Sequence, residues 1–206
     1  LLWLALRPNA EKNGAKTIYW LALIGGIGVA HHRAIAMAIP ALIYAVYPIL
    51  RAQGKKLPRV IVISLALGVI GFVPYVYLPL RAQAGAAWVY GDPGTLNGFL
   101  DQFFGREASR FIGGVNSFDT LIANFRMVTE VLFTDMTAVG VVLGVIGLLL
   151  GVTMKNTRRA AITLILSGGA AYLFHVFVYT DILSALILAV DVSLVMGWAF
   201  VIFWLI

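Results

Sequence analysis

Residues 60–80 read VIVISLALGVIGFVPYVYLPL, an apolar run that contains no charged side chain. A transmembrane helix needs about 20 such residues, because each adds about 1.5 Å to a helix that must cross about 30 Å of hydrocarbon. The run lacks the alternation of apolar and polar residues that marks the strands of a membrane β-barrel. It therefore predicts a membrane-spanning helix.

The composition extends this prediction to the whole chain. Of the 206 residues, 61% are hydrophobic and only 12% are charged, and the mean hydropathy is +0.94. A soluble domain carries about 25% charged residues, so a water-soluble fold is excluded. The absence of cysteine excludes disulfides, thiolate metal sites and a cysteine nucleophile. Since only helices or closed barrels satisfy their backbone groups in lipid, we predict an all-α, polytopic integral membrane bundle.

We predict that one transmembrane domain covers residues 1–206, with external amphipathic helices in its longest loop. Both ends of the chain lie inside hydrophobic sequence, and the first six residues look like the remnant of another span. We therefore expect the chain to be a fragment of a longer protein. The predicted spans are roughly residues 18–31, 34–50, 60–80, 131–154, 160–179 and 182–206.

The distribution of the +6 net charge predicts the topology. Three short loops, residues 7–16, 51–59 and 155–159, are rich in Lys and Arg, which marks cytoplasmic loops. The long region 81–126 then lies outside. The polar break His31-His32-Arg33 is the place where the chain turns at the outer face. The positive charge thus reports membrane topology, and no nucleic-acid partner is needed to explain it.

The external region contains a turn followed by an amphipathic helix. Asp92-Pro93-Gly94 is turn chemistry, and Thr95 is placed to cap a helix that begins after it. Apolar residues from Leu96 to Phe104 keep helical spacing with polar residues between them, so we predict a helix lying on the outer membrane surface. A similar pattern over residues 118–125 suggests a second one.

Two glycine pairs mark a helix face that is suited to close packing. Gly140 and Gly144, like Gly147 and Gly151, are separated by three residues, so each pair lies on one side of a helix. Membrane helices approach closely through such small residues, whereas a phosphate-binding loop would need a preceding strand. We interpret both pairs as helix-packing motifs.

Short motifs throughout the chain carry a resemblance to a known family. They are Val29-Ala30-His31-His32-Arg33, Tyr77-Leu78-Pro79-Leu80-Arg81-Ala82, Gly91-Asp92-Pro93 and Tyr179-Thr180-Asp181. Together they resemble a family of membrane proteins long labelled as a domain of unknown function. That family is similar to the GT-C class of glycosyltransferases and has eukaryotic relatives regarded as protein O-mannosyltransferases.

The resemblance implies an enzyme that moves a sugar from a polyprenyl-phosphate donor to an acceptor protein or glycan on the non-cytoplasmic face. It also implies a multi-pass protein, for which we expect a bacterial plasma membrane location with the active face external. In GT-C enzymes the catalytic carboxylate lies in the first external loop, so we expect the catalytic residues upstream of this chain, and the fragment alone to be inactive. The sequence contains no metal-ligand motif, and a divalent metal cofactor is left open.

The candidate substrate-binding residues all lie at the predicted outer face. Arg81 and the cluster His31-His32-Arg33 are candidates for holding the donor phosphate. Asp92 and Trp88 are candidates for binding the sugar or the acceptor. Each has a structural alternative: Arg81 and the cluster as polar helix ends, Asp92 as a turn residue and Trp88 as a member of the interfacial aromatic belt.

Two further functions stay open at this level. Ionisable groups are costly at membrane depth, so His175 and Asp191 form a candidate polar pair that could line a path in a transporter or flippase. No convincing internal repeat accompanies them, although repeats are typical of transporters. A non-catalytic membrane scaffold is the third alternative.

Overall fold

A computed structural model describes residues 1–8, 10–89, 91–106, 113–178 and 184–206, and the regular structure in these ranges is entirely helical. The predicted all-α membrane fold is confirmed. Short 3-10 helices at Arg33–Ala38, Gly54–Lys56 and Val73–Val76 link some of the α-helices. The α-helices are α1 (Leu2–Leu6), α2 (Gly14–His31), α3 (Ile39–Arg51), α4 (Leu57–Ile70), α5 (Tyr77–Gln83), α6 (Leu96–Phe104), α7 (Phe118–Thr153), α8 (Arg158–Phe177) and α9 (Ser184–Leu205).

Within the described ranges, five helical segments are long and apolar enough to cross a membrane. Helix α2, which corresponds to the predicted span 18–31, is not among them, since Lys16 and His31 lower its hydropathy; its crossing stays a prediction. The chain is thus a multi-pass membrane protein by the length and hydropathy of its helices. The five segments are Arg33–Arg51, Gly54–Gln83, Phe118–Thr153, Arg158–Phe177 and Ile187–Leu205.

A glycine seam joins α7 to α9. A Cβ added to Gly147 would overlap the carbonyl oxygen of Gly197, and one added to Gly144 would come within 2.8 Å of Leu194. No side chain fits at these positions, so the two backbones can approach closely, as membrane helices do where small residues line the contact. The predicted role of the glycine pairs in helix packing is confirmed.

Helix α7 is broken at Thr137. This residue has φ 62° and ψ 157°, a backbone conformation that side-chain-bearing residues rarely adopt. Its Oγ1 accepts a hydrogen bond from the Gly140 N–H at 3.3 Å and so caps the second half of the helix. The amphipathic pattern at residues 118–125 and the predicted span 131–154 therefore belong to one element, kinked between them.

Contacts between distant loops define two ends of the bundle. At one end Arg159 pairs with Glu11 at 2.7 Å, and Gln53 lies against Gly14, so all three basic loops lie together. At the other end Arg33 contacts α6, and the Gly114 N–H bonds the Val178 carbonyl at 3.3 Å. We name these the basic end and the outer end. That the basic end faces the cytoplasm stays a prediction from the charges.

Candidate functional site

Helix α6 is the centre of the outer end, and local chemistry sets its limits. Thr95 Oγ1 accepts from the Gly98 N–H at 3.2 Å, which satisfies a backbone donor that the first turn would leave free. The helix stops at Gly105, whose φ of +63° suits a residue without a side chain. The predicted helix from Leu96 to Phe104 is confirmed with these bounds.

One face of α6 packs on the bundle through aromatic rings. The ring centroid of Phe103 lies 5.4 Å from that of Phe72 and 5.4 Å from that of Tyr75, both of which follow the span α4. Leu96 is 72% exposed and Phe104 is 62% exposed. Helix α6 thus keeps apolar side chains on its open face, as a helix in contact with lipid does.

Arg33 fastens the C-terminal end of α6. Its Nη2 donates to the carbonyl oxygens of Gln102 and Phe103, the latter at 2.6 Å. The last-turn carbonyls of a helix lack partners within the helix, and a cation is favourable there. A Cβ at Gly105 would overlap the Arg33 guanidinium, so the glycine also makes room for this contact. Arg33, a predicted phosphate ligand, therefore has a structural role.

The two histidines next to Arg33 differ in their surroundings. Helix α2 ends at His31, and His32 has extended backbone with φ −151°. The His32 Nδ1 accepts from the Ala34 N–H at 3.2 Å, which caps the 3-10 helix Arg33–Ala38. A neutral imidazole that accepts at Nδ1 carries its proton on Nε2, so His32 keeps one donor for a ligand. Both histidine side chains are exposed.

The segments that carry Arg81 and Asp92 lie next to each other beside the start of α6. Gly94 of the Asp-Pro-Gly turn packs on Ala82, where an added Cβ would come within 3.3 Å of the alanine Cβ. The Asp92 Oδ2 accepts from Thr95 Oγ1 at 3.3 Å. Arg81 is exposed, and in the described part of the chain no acceptor contacts its guanidinium. Trp88, between them in sequence, is 79% exposed.

These contacts bring most of the predicted site residues around one helix. The Asp92 carbonyl lies so close to Gly98 that a Cβ there would overlap it. Gln102, where Arg33 binds, is one turn further along α6, which is about 6 Å. We name the outer-end surface formed by α6, Arg33, Arg81 and Asp92 the α6 surface. The sequence did not predict that Phe103 packs on Phe72 and Tyr75, although the spacing of the phenylalanines in α6 indicated an apolar helix face.

The structure does not bring His175 and Asp191 together. His175 is fully buried, with Nδ1 2.7 Å from the Ala171 carbonyl oxygen. Helices α8 and α9 are antiparallel, and Gly168 faces Val190. Asp191 is therefore about two turns, or roughly 10 Å, from the level of His175. It lies within electrostatic range of Asp135 instead.

The structure leaves one predicted motif undescribed. The motif Tyr179-Thr180-Asp181 lies outside the described residues. Among the residues that the structure does describe, no three His, Asp or Glu side chains are grouped so that they could hold a metal ion.

Comparison with known proteins gives one informative match. The chain is 32% identical to the mouse (Mus musculus) Protein O-mannosyl-transferase TMEM260 over 107 residues, which are 49% of this chain and 15% of the mouse protein. No family model matches the chain, and no solved structure matches it. The chain therefore spans a small part of that relative's length, and over about half of its own length it has a distant relative that is a protein O-mannosyl-transferase.

Proposed function

We propose that this chain is part of a membrane glycosyltransferase that transfers a sugar from a polyprenyl-phosphate donor to an acceptor on the non-cytoplasmic face. The observation that carries the proposal is the 32% identity to a protein O-mannosyl-transferase over about half of the chain. The multi-pass helical architecture fits a donor that is itself anchored in the membrane.

The chemistry of transfer requires cations and a base at one face of the membrane. A departing phosphate is stabilised by positioned cations, and the acceptor hydroxyl must lose a proton to a base. Arg81 is the best phosphate ligand of the α6 surface, because its guanidinium is exposed and uncommitted in the described part of the chain. Arg33 is bound to α6 carbonyls, so its part is to position α6.

The remaining groups of the α6 surface fit contacts to the sugar or the acceptor. Asp92 is exposed and receives one hydrogen bond, from Thr95, which leaves its Oδ1 for a hydroxyl. His31 and His32 are exposed on the Arg33 side of the same surface. Trp88 is 79% exposed, and an indole ring suits stacking on a sugar. We assign none of these as the catalytic base, which we expect in the part of the protein upstream of this chain.

Helix α6 suits the recruitment of a lipid-linked donor. Its buried face is fixed by the Phe103 ring cluster, and its exposed Leu96 and Phe104 project away from the bundle. A helix of this kind lies in the membrane interface, where the phosphate and sugar of a polyprenyl donor also lie. The α6 surface thus offers a cation and a carboxylate at the depth of the donor's reacting group.

The transporter alternative has lost its main argument. It relied on His175 of α8 and Asp191 of α9 lining one path. The two residues are separated by about two helical turns along the direction of the helix axes. Asp191 lies instead within electrostatic range of Asp135, an acidic residue of α7.

The test is a transfer assay with the full-length protein in lipid nanodiscs. A panel of polyprenyl-phosphate sugars, each radiolabelled in the sugar, is offered with peptide and glycan acceptors, and label on the acceptor is measured. The proposal predicts transfer from at least one donor, with none when the labelled sugar is supplied as a nucleotide sugar. A folded, monodisperse protein that labels no acceptor from any of the polyprenyl donors contradicts it.

A further inference from the structure

A groove between α3 and the start of α8 lies at the basic end, away from the α6 surface. Its volume is about 630 Å³, within the range of roughly 300–1,000 Å³ that is typical of ligand pockets. Its wall on α3 is apolar and aromatic, including Ile43, Tyr44 and Tyr47. Ile43 is 64% exposed and Tyr47 is 59% exposed, so the groove opens towards the lipid beside a membrane-spanning segment.

Three cations close one end of the groove, and they are not equivalent. Both Nη atoms of Arg159 are held within the protein, because Nη1 pairs with Glu11 at 2.7 Å and Nη2 donates to the Ala45 carbonyl at 2.5 Å. Arg158 donates its Nε to the Val152 carbonyl at 2.9 Å, and its Nη groups contact no acceptor in the ranges that the structure describes. Lys155 is exposed and contacts no acceptor among the described residues. Lys155 and Arg158 therefore present positive charge that no carboxylate in the described ranges neutralises.

The position of Arg158 on its helix strengthens the case for an anion. It is the first residue of α8, where the helix dipole is positive, and the first turn contains no acidic residue. Thr157 does not cap the turn, because its hydroxyl donates to the Gly151 carbonyl at 2.8 Å. A cation at the N-terminal end of a helix is electrostatically unfavourable, and a bound anion would stabilise both the cation and the helix terminus.

We propose that this groove binds an anionic phospholipid of the leaflet at the basic end. Its phosphate lies between Lys155 and Arg158, and one acyl chain runs along Ile43 and Tyr47 of α3. The arrangement matches an amphipathic ligand. The cations lie beyond the end of the membrane-spanning helix α7, at the level of the lipid headgroups, and the apolar wall on α3 continues towards the centre of the bilayer. The predicted cytoplasmic leaflet is the one that carries anionic lipid.

This site is separate from the proposed sugar-transfer site. The groove lies at the end of the bundle where the basic loops meet, and the α6 surface lies at the opposite end. A polyprenyl-phosphate donor that reacts at the outer end has its phosphate in the other leaflet. The lipid site and the sugar-transfer site are therefore tested by different experiments.

The test uses the full-length protein in nanodiscs that contain a photoreactive phosphatidylglycerol in a phosphatidylcholine background. After illumination, cross-linked peptides are mapped and the cross-linking yield is measured against phosphatidylglycerol content. We expect cross-links on α3 around Ile43 and Tyr47, and no saturable labelling by a photoreactive phosphatidylcholine. The double variant Lys155→Gln, Arg158→Gln should weaken the apparent affinity by roughly thirtyfold, because each cation near an anionic surface contributes a factor of about five.

Two matched controls separate the site from general attraction to a charged membrane. Lys55→Gln, Lys56→Gln removes two exposed lysines from another basic loop at the same end and should leave the affinity unchanged. Ile43→Trp fills the groove and should lower the cross-linking yield. Val62→Trp should leave the yield unchanged, because Val62 is 66% exposed on α4, away from the groove.

Three outcomes overturn the proposal. Equal losses in the two charge variants would show that surface potential alone attracts the lipid. Competition by millimolar inorganic phosphate would identify a free-anion site, and saturable competition by polyprenyl phosphate in preference to phosphatidylglycerol would identify a different lipid.

Discussion

Each of the two ends of the bundle carries arginines, and at each end the arginines differ in their partners. At the outer end Arg33 is bound to the last carbonyls of α6, while Arg81 contacts no acceptor among the described residues. At the basic end Arg159 is bound to Glu11 and to the Ala45 carbonyl, while Arg158 has no carboxylate partner in the described part of the chain. Each end thus has one arginine whose Nη groups bind the protein and one whose Nη groups contact no acceptor among the described residues.

The comparison shows that charge alone does not identify a binding residue in this protein. A cation that is satisfied by backbone carbonyls stabilises the fold, and its removal leaves buried acceptors without a donor. A cation without a protein acceptor costs little to remove from the fold but is the one that a phosphate can reach. The function of each arginine therefore follows from its partners.

The first prediction is that the two ends of the bundle lie on opposite sides of the membrane. The chain has no cysteine, so single cysteines at Lys55 and Ala87, both exposed, can be introduced without background. An impermeant maleimide added from outside should label the variant at 87 almost completely and the variant at 55 only after the membrane is permeabilised. Labelling of both from one side would remove the distinction between the ends.

The second prediction concerns the glycine seam between α7 and α9. Gly147→Val places a side chain against the Gly197 carbonyl, so we expect destabilisation at or above the roughly 3 kcal/mol upper range for overpacked cores. The matched control is Gly169→Val, because a Cβ at Gly169 meets nothing within 4 Å. Thermal unfolding in detergent should show loss of the folded protein for the first variant alone. Similar melting curves for the two variants would count against the seam.

The third prediction sharpens the contrast between the two outer arginines. Arg81→Ala should lower the rate of sugar transfer by about a hundred- to a thousandfold, the usual effect of losing a charged contact that strengthens in the transition state. Arg81→Lys should restore part of the rate, because lysine keeps the charge but loses the bidentate fork. Arg126→Ala is the control, since Arg126 is an exposed residue paired with Glu130 at 2.9 Å. An unchanged rate for Arg81→Ala would make Arg81 an interfacial anchor only.

The fourth prediction tests the committed arginine, and its effect is smaller. Arg33→Gln removes a charged donor from the α6 carbonyls, a contact worth about 1.5–3 kcal/mol. Amide hydrogen exchange in α6 should then speed up by roughly tenfold or more, while α7 is unaffected. Gly105→Ala should act in the same direction, because its Cβ displaces the Arg33 guanidinium. Unchanged exchange in both variants would show that α6 is held by its aromatic face alone.

Much of the fold was predictable because it depends on local patterns. Thr95, the phenylalanine spacing and Gly105 define α6 within the sequence itself, and the glycine pairs of α7 indicate their packing face. The partners of Arg33 were not predictable, since they are backbone carbonyls about 70 positions away and any residue supplies a carbonyl. The break at Thr137 was hidden as well, because threonine disfavours a positive φ.

The sequence indicated which segments lie near α6, but it did not indicate which of their cations already have protein partners. The motifs around Arg33, Arg81 and Asp92 pointed to the outer end, where the structure gathers all three around α6. The sequence does not show which cation is already satisfied, because that depends on the path of the backbone. For the same reason it paired Asp191 with His175, whereas Asp135 is the acidic group that interacts with it.

The transferase proposal is tested most sharply by mapping where the donor binds. A polyprenyl-phosphate sugar that carries a photoreactive group beside the phosphate is cross-linked to the full-length protein, and the modified peptides are mapped by mass spectrometry. We expect cross-links at the α6 surface, in the peptides that contain Arg81 and Trp88, and we expect Arg81→Ala to abolish them. Cross-links confined to the groove that Lys155 and Arg158 line at the basic end would contradict the proposal.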